Sequence, residues 1–402
     1  MSKGPPPNFA ELASTNHPRH RQPWLRPWMI VLGSVLLITL LSSGGYALSV
    51  TASGTSVGSP TRSSAGTSHW HSHDGPAGPL QVLGSTPAPG ATGVASDSDI
   101  TIDFSAPVSL NGVTPTLSPA VTGSWQAVTA TSIEFVPSAP LVPSVTETVT
   151  IPGGPGGLVA TNGATLDSSV SFSFGVATGD TLRLQQLLAQ LNYLPLTFTP
   201  SGPPPPVTET ALVQPGTFAW RWSTLPTNLT SLWTEGQANV ITKGALMSFQ
   251  LNNGLATDAE AGPKVWAALL NPGAVAVTGT YNYVLVSKTL PESLTLYEDG
   301  SPAYTNIPVN TGVSRAPTVD GTFPVFEHLT SSRMVGTNPD GTHYDDPHVP
   351  WASYFNGGDA LHGFVRSSYG WPQSDGCVEM SISNAGMLWP LTPVGTLVTV
   401  EG

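Results

Sequence analysis

Short runs of alternating apolar and polar residues, each cut off by proline, glycine or asparagine, fill most of this chain and leave little room for long helices. Stretches such as DITIDFSAPV (Asp99–Val108), SIEFVPS (Ser132–Ser138), TVTI (Thr148–Ile151) and LTLYEDG (Leu294–Gly300) put every second side chain on one face, the pattern of a half-buried strand. Glycine (42) and proline (40) are frequent enough to act as punctuation throughout, and only 9% of residues are charged. A length of 402 residues exceeds what one hydrophobic core usually holds. The expectation is a multidomain, mainly β protein.

The N-terminus departs from this pattern. Lys3, Arg19, Arg21 and Arg26 precede an apolar run from Trp28 to about Val50, and no further Lys or Arg occurs before Arg62. The charge asymmetry predicts residues 1–27 as a cytoplasmic tail, 28–50 as a single transmembrane helix, and the remainder outside the cell membrane. Met29–Leu41 alone is also short enough for the apolar core of a cleaved signal peptide. The longer reach to Val50 and the lack of a clean A-x-A site favour a retained signal anchor. No cysteine lies just after the run, which excludes lipoprotein anchoring. Residues 51–80 are rich in Ser, Gly, Thr and Pro and read as a flexible linker. His69, His71 and His73 alternate within it, a spacing that can bind metal but is here read as linker composition.

A net charge of -12, with only 13 Lys and Arg, argues against nucleic acid as a partner. Three units follow the linker. Residues 81–176 carry the first set of alternating runs and predict a small antiparallel sandwich. Residues 178–272 bring in the helical period: in TLRLQQLLAQLNYLPL, Leu184, Leu187, Leu188 and Leu191 share a face, before PSGPPPP interrupts. Thr242 is placed to cap a second helix, KGALMSFQLNN, with Leu246 and Phe249 inward and Gly254 as its stop; Gly262-Pro263 opens a third, KVWAALL. Residues 280–402 return to β patterning, from YNYVLVS to TLVTVEG.

The last unit holds Cys377, the single cysteine of the chain. Exported proteins usually keep cysteines in pairs, so an unpaired one is either a small buried hydrophobe or a reactive group. A thiol attacks as thiolate and needs a base, for which His362 is the candidate. Ser374, Asp375 and Gly376 form a polar turn whose backbone N–H groups can converge on an oxyanion. Nucleophile, base and oxyanion donors support acyl transfer through a thioester. His343, Asp345, Asp346 and His348 in HYDDPH offer a second polar cluster, either a metal site or a polar flap over the active site.

The segments ALHGF and SDGCVEM, with VNTG (Val309–Gly312), TVDGTFPV (Thr318–Val325) and WASYF (Trp351–Phe355), resemble the signatures of L,D-transpeptidases of the YkuD-like type. PAPGATGVASDSDITIDFSAPV and SVSFSFG resemble bacterial Ig-like domains. ITKGALMSFQLNNGLATDAEAGPKVWAALL resembles peptidoglycan-binding helical modules, although Asp258-Ala259 stands where that pattern has Asp-Gly. The resemblance implies Cys377 as nucleophile, His362 as base, and main-chain N–H groups around Asp375, Gly376 and Cys377 as oxyanion hole. It implies peptidoglycan stem peptides as substrates, release of D-alanine, transfer to an amine acceptor, no cofactor or metal, and covalent inhibition by carbapenem-type β-lactams. Gly363, Tyr354, Phe355, Arg366 and Glu379 are the implied substrate contacts. Two residues depart from the family pattern, Asp375 in place of His and Glu379 in place of Asn or Arg. Their charge supports the alternative of a non-catalytic wall-binding or scaffold protein that retains the fold.

Overall fold

The computed structural model describes residues 78–110 and 112–402, so the expected tail, the expected anchor at 28–50 and His69, His71 and His73 lie outside the described residues. Among the described residues, no helix is long and apolar enough to cross a membrane.

The first unit contains β1 (Val82–Thr86), β2 (Ile100–Phe104), β3 (Val108–Ser109), β4 (Thr116–Ser118), β5 (Gly123–Ala127), β6 (Ser132–Pro137), β7 (Thr146–Ile151), β8 (Val159–Ala160) and β9 (Val170–Gly175). One sheet runs β1-β2-β6-β5 and another β4-β7-β9, with β3 and β8 paired separately. The period of two works as the sequence predicts. Ile100, Ile102, Phe104, Ile133, Phe135, Val149, Ile151, Phe172 and Phe174 form one core, with polar residues between them facing outward. Leu80 is also buried in that core and its N–H donates to Thr165 O, so the unit starts before the predicted boundary at 81. Glu147 breaks the pattern. It is a carboxylate on the inner face of β7, with Oε2 lacking a hydrogen-bond partner.

The second unit is formed by α1 (Thr181–Gln190), β10 (Leu196–Pro200), β11 (Gly216–Trp220), α2 (Thr227–Thr230), α3 (Val240–Asn252) and α4 (Pro263–Leu269). Leu184, Leu187 and Leu188 of α1 face the core as expected, but Arg183, Gln185 and Gln186 are buried too. Two segments cover the polar side of the helix: the β10–β11 connection meets Arg183 and Gln186, and the stretch leading into α3 meets Gln185, whose Nε2 donates to Thr234 O, Gln237 O and Thr242 Oγ1 while its Oε1 accepts from Gly236 N. Arg183 donates to Thr210 O and Gln186 Oε1, and Gln186 exchanges hydrogen bonds with the backbone of Gln214. α3 begins earlier than predicted. Asn239, not Thr242, is the cap: its Oδ1 accepts from Thr242 N at 2.9 Å, and Thr242 Oγ1 is turned to Asn239 and Gln185. Ala259 adopts the left-handed φ of 61° in the departing turn, where its N–H donates to Gln250.

The third unit holds β12 (Asn282–Ser287), β13 (Ser293–Glu298), β14 (Ser301–Pro308), β15 (Gly321–Pro324), β16 (Glu327–Thr337), β17 (His343–Asn356), β18 (Asp359–Gly363), β19 (Val378–Met380), α5 (Ile382–Leu388) and β20 (Leu397–Glu401). Its sheets run β14-β13-β12-β20-β15 and β16-β17-β18-β19. Val284, Val286, Leu294, Leu296, Val398 and Val400 of the first sheet meet Phe355, Leu361, Val378 and Met380 of the second, with Ala385 and Leu388 of α5. Tyr283 and Leu397 face the other way, into the core of the helical unit beside Leu246, Phe249 and Trp266. The helical unit and the third unit therefore share buried apolar surface.

Candidate active site

β18 and β19 pair in parallel, with Leu361 opposite Val378, His362 opposite Glu379 and Gly363 opposite Met380. Parallel neighbours cannot be joined by a tight turn, so the chain must cross over between them. The crossover returns through Ser374 and delivers Cys377 immediately before β19. Because side chains alternate along a strand, His362, Cys377 and Glu379 share one face, while Leu361, Val378 and Met380 enter the core. His362, Cys377 and Glu379 all line one cavity of about 260 Å³. A second cavity, about 140 Å³ between the helical unit and the third unit, holds no thiol or imidazole.

The turn before the thiol is tightly determined. Ser374 is buried, its Oγ donates to Cys377 O at 2.6 Å, and Gly376 N–H donates back to Ser374 Oγ at 3.3 Å. That N–H, one of the expected oxyanion donors, is thus engaged within the turn. Gly376 has φ +114°, and a Cβ there would stand 2.5 Å from Asp359 Oδ1, so both the backbone and the space call for glycine. The VNTG segment forms the wall behind. Asn310 exchanges backbone hydrogen bonds with Glu379, Thr311 O accepts from Ser374 N, and Thr318 Oγ1 bridges Gly312 N to Gly376 O. A Cβ on Gly312 would overlap Ala316 O. Thr311 is fixed in turn by the buried Glu292, which accepts from its N–H and its hydroxyl.

His362 is 2% exposed and its Nδ1 lies 3.1 Å from Gly363 O. With Nδ1–H donating to that carbonyl, Nε2 is the basic nitrogen. Burial pushes the imidazole pKa down from its ordinary value, against smaller upward effects from the Gly363 carbonyl and Glu379. The thiol is pushed the other way. Burial, with added repulsion from Asp359, Glu379 and Asp375, raises Cys377 to about 12, despite a hydrogen bond from the Ala360 backbone. Cys377 keeps partial surface exposure, and its thiol hydrogen bond points to Gly358 O at 3.6 Å rather than to His362. The resting pair is therefore neutral thiol and neutral imidazole facing one cavity.

The implied substrate contacts separate. Tyr354 is near the thiol, with its hydroxyl 2.8 Å from Ser332 Oγ. Phe355 is not a contact: it is the next residue along β17, points to the opposite face, and is buried against Phe323. Gly363 packs beneath α5, where a Cβ would come within 3.1 Å of Ile382, and lies in the sheet interior rather than the cavity. Arg366 and Glu379 both line the cavity but hold each other: Nε donates to Oε2 and Nη2 to Oε1, each at 2.7 Å. The HYDDPH cluster divides as well. Tyr344 and Asp346 line the cavity, whereas Asp345 pairs with Arg333 on the outside and His343 bonds Thr337. Among the described residues, no group of three or more His, Cys, Asp or Glu side chains is arranged to hold a metal. Met334 and Phe364 also line the site; Phe364 closes the ALHGF segment, whereas nothing in the sequence surroundings of Met334 marks it.

Residues 281–400 match the family model of the L,D-transpeptidase catalytic domain, and residues 77–176 that of the bacterial Ig-like domain. No curated protein matches the chain. Similar solved structures include an L,D-transpeptidase from Mycobacterium smegmatis, at 15% identity over 81% of this chain and 100% of that one, TM-score 0.28. L,D-transpeptidase 3 from Mycobacterium tuberculosis in complex with a faropenem-derived adduct is similar at 13% identity, over 80% and 98%, TM-score 0.28. The catalytic domain of an E. faecium L,D-transpeptidase acylated by ertapenem is similar at 26% identity, over 31% and 99%, TM-score 0.27. These likenesses accompany the assignment, which rests on the two family models. The chain carries a bacterial Ig-like domain followed by an L,D-transpeptidase catalytic domain.

Proposed function

We propose that this protein is a cell-envelope L,D-transpeptidase with Cys377 as nucleophile and His362 as general base. The observation that carries this reading is the strand register that turns both side chains to one cavity inside an L,D-transpeptidase catalytic domain. In the proposed reaction, the carbonyl before the terminal D-alanine of a tetrapeptide stem enters the cavity. Cys377 Sγ attacks it as its proton passes to His362 Nε2, and the developing oxyanion is met by the backbone N–H groups of Asp375 and Cys377, that of Gly376 being held by Ser374. Collapse breaks the peptide bond, His362 returns the proton to the departing D-alanine amine, and a thioester remains. An acceptor amine then attacks the thioester, giving up a proton to His362, and the thiol is regenerated with that proton. No redox change or cofactor is needed.

The neutral resting pair decides how the reaction starts. With the thiol pushed up to about 12, a preformed thiolate is scarce at neutral pH, so proton transfer accompanies attack. The same shift supports the second reading, a wall-binding protein whose thiol no longer reacts. Residues 28–50 as a membrane anchor, the catalytic domain outside the membrane, and the helical unit as a peptidoglycan-binding module complete the proposal. Carbapenem-type β-lactams should act as covalent inhibitors, as the ertapenem acylation of the E. faecium catalytic domain suggests. Intact-protein mass after exposure to a carbapenem tests the reading: wild type should gain one adduct and Cys377→Ala none. An unmodified wild type would favour the scaffold reading.

A further inference from the structure

The crossover between β18 and β19 carries the connection from proposed base to proposed nucleophile, and its first part is held largely by side chains. Phe364 N–H still follows the sheet, donating to Met380 O, and Gly370 is fixed by Val309 O and Asn310 Oδ1. Between them stands Arg366. Its guanidinium makes the bidentate pair with Glu379 on β19, donates to Gln373 O at 3.3 Å, and lies 4.7 Å from the Phe364 ring centre. Its backbone N–H donates to Tyr369 OH, which donates to Phe364 O at 2.6 Å. Glu379 is 4% exposed, and its backbone is locked to Asn310. One ion pair therefore joins the middle of the crossover to the strand that follows the nucleophile.

The register gives this pair a second consequence. A residue two places after Cys377 on a strand must share its face, so the Glu379 carboxylate is set beside the thiol by geometry. Asp359 from β18 and Asp375 from the turn also face the thiol, and Tyr344 and Tyr354 approach from β17. Around Arg366 stand Glu379, Tyr369 and Asp346, with Asp375 and His362 nearby. Of the carboxylates facing the thiol, Glu379 is the one with a guanidinium against both oxygens. An arginine so engaged presents its fork to protein rather than to a ligand.

We propose that the Arg366–Glu379 pair is a positioning element of this site, clamping the crossover against β19 and neutralising the carboxylate that the strand register places beside Cys377. Its relevance to catalysis rests on the transferase reading above, but its test does not. Cys377 is the single cysteine, so alkylation by iodoacetamide reports that thiol alone in the full-length chain. Below its pKa, a thiol is alkylated in proportion to its thiolate fraction.

The variants are Arg366→Gln, Glu379→Gln and Arg366→Met/Glu379→Met. Arg366→Gln leaves a carboxylate uncompensated and should slow alkylation at pH 8 about tenfold, whereas Glu379→Gln leaves a cation and should speed it about tenfold. A merely structural role would disturb both single variants in one direction. The double variant removes both charges and should recover thermal stability close to wild type. Amides of residues 364–376 should nevertheless exchange with solvent about tenfold faster in it, because the clamp is gone. Alkylation changes of one sign or none in the two single variants, or wild-type exchange in the double variant, would overturn the proposal. Opposite shifts in a protein that fails to acylate with any donor would refute the transferase reading alone. If Arg366 instead served a substrate carboxylate, Arg366→Gln would raise KM for a carboxylated donor while leaving thiol alkylation unchanged, which also overturns it.

Discussion

Cys377, the proposed nucleophile, sits in an unhelpful electrostatic setting, and the proposed mechanism answers this by keeping the thiol protonated until attack. Asp359, Asp375 and Glu379 all disfavour thiolate, and burial adds the largest share. His362 is suited to take the proton because burial lowers its pKa and keeps it neutral near pH 7. Carbapenem acylation should therefore rise as pH climbs through the lowered pKa of His362, then stay level until the thiol itself ionises. In His362→Ala the plateau should be replaced by a rate that increases steadily with pH, with a loss of about 10²–10⁴-fold near pH 7. Stopped-flow acylation across pH checks this. Gly376 is the other sensitive residue: Gly376→Ala combines a positive φ with a clash on Asp359, and should cost about 1–3 kcal/mol in thermal or urea unfolding.

Among the elements, β7 contains the most testable anomaly. Glu147 is held at a pKa of about 7 by burial alone, well above a free glutamate. A carboxyl raised in the folded state holds its proton there while the unfolded chain has lost it. Stability is therefore full below the unfolded value, declines as pH rises toward about 7, and stays low above that. Equilibrium unfolding of the full chain should show the Ig-like unit losing about 2 kcal/mol between pH 5 and pH 8, and Glu147→Gln should flatten that slope. The strands themselves were legible because one buried face imposes a period of two, and the thiol and imidazole because so few residue types supply that chemistry. Four things were not. The cap of α3 was misplaced because Asn239 and Thr242 are both good caps, and only the Gln185 network, made by a distant helix, assigns Thr242 inward. Phe355 was misread because neighbouring aromatics on a strand look alike until the register says which faces the core. Tyr344 was missed because it reaches the cavity, alongside Asp346 of the expected flap, only where β16 and β17 fold back as a long hairpin whose pairing no local pattern fixes. The Arg366–Glu379 pair needs the parallel β18–β19 register for the same reason.

At the scale of the whole molecule, the catalytic unit is not bounded by its own core. Tyr283 and Leu397 insert among residues of the helical unit, and Gly244 of α3 approaches Gly395 O closely. A chain cut to residues 280–402 should therefore expose this surface, unfold at lower temperature than residues 178–402, and show its deficit in differential scanning calorimetry. The Ig-like domain precedes this pair and, with the proposed anchor, would set its reach from the membrane. All of this serves one chemical claim, that a thioester forms on Cys377. The direct measurement is a single turnover on a tetrapeptide stem, with intact mass and peptide mapping of the protein beside quantification of free D-alanine. One acyl group mapped to Cys377, matched by one equivalent of D-alanine and absent from Cys377→Ala, is the predicted result. D-alanine release that persists in Cys377→Ala, or an acyl group on another residue, would contradict it.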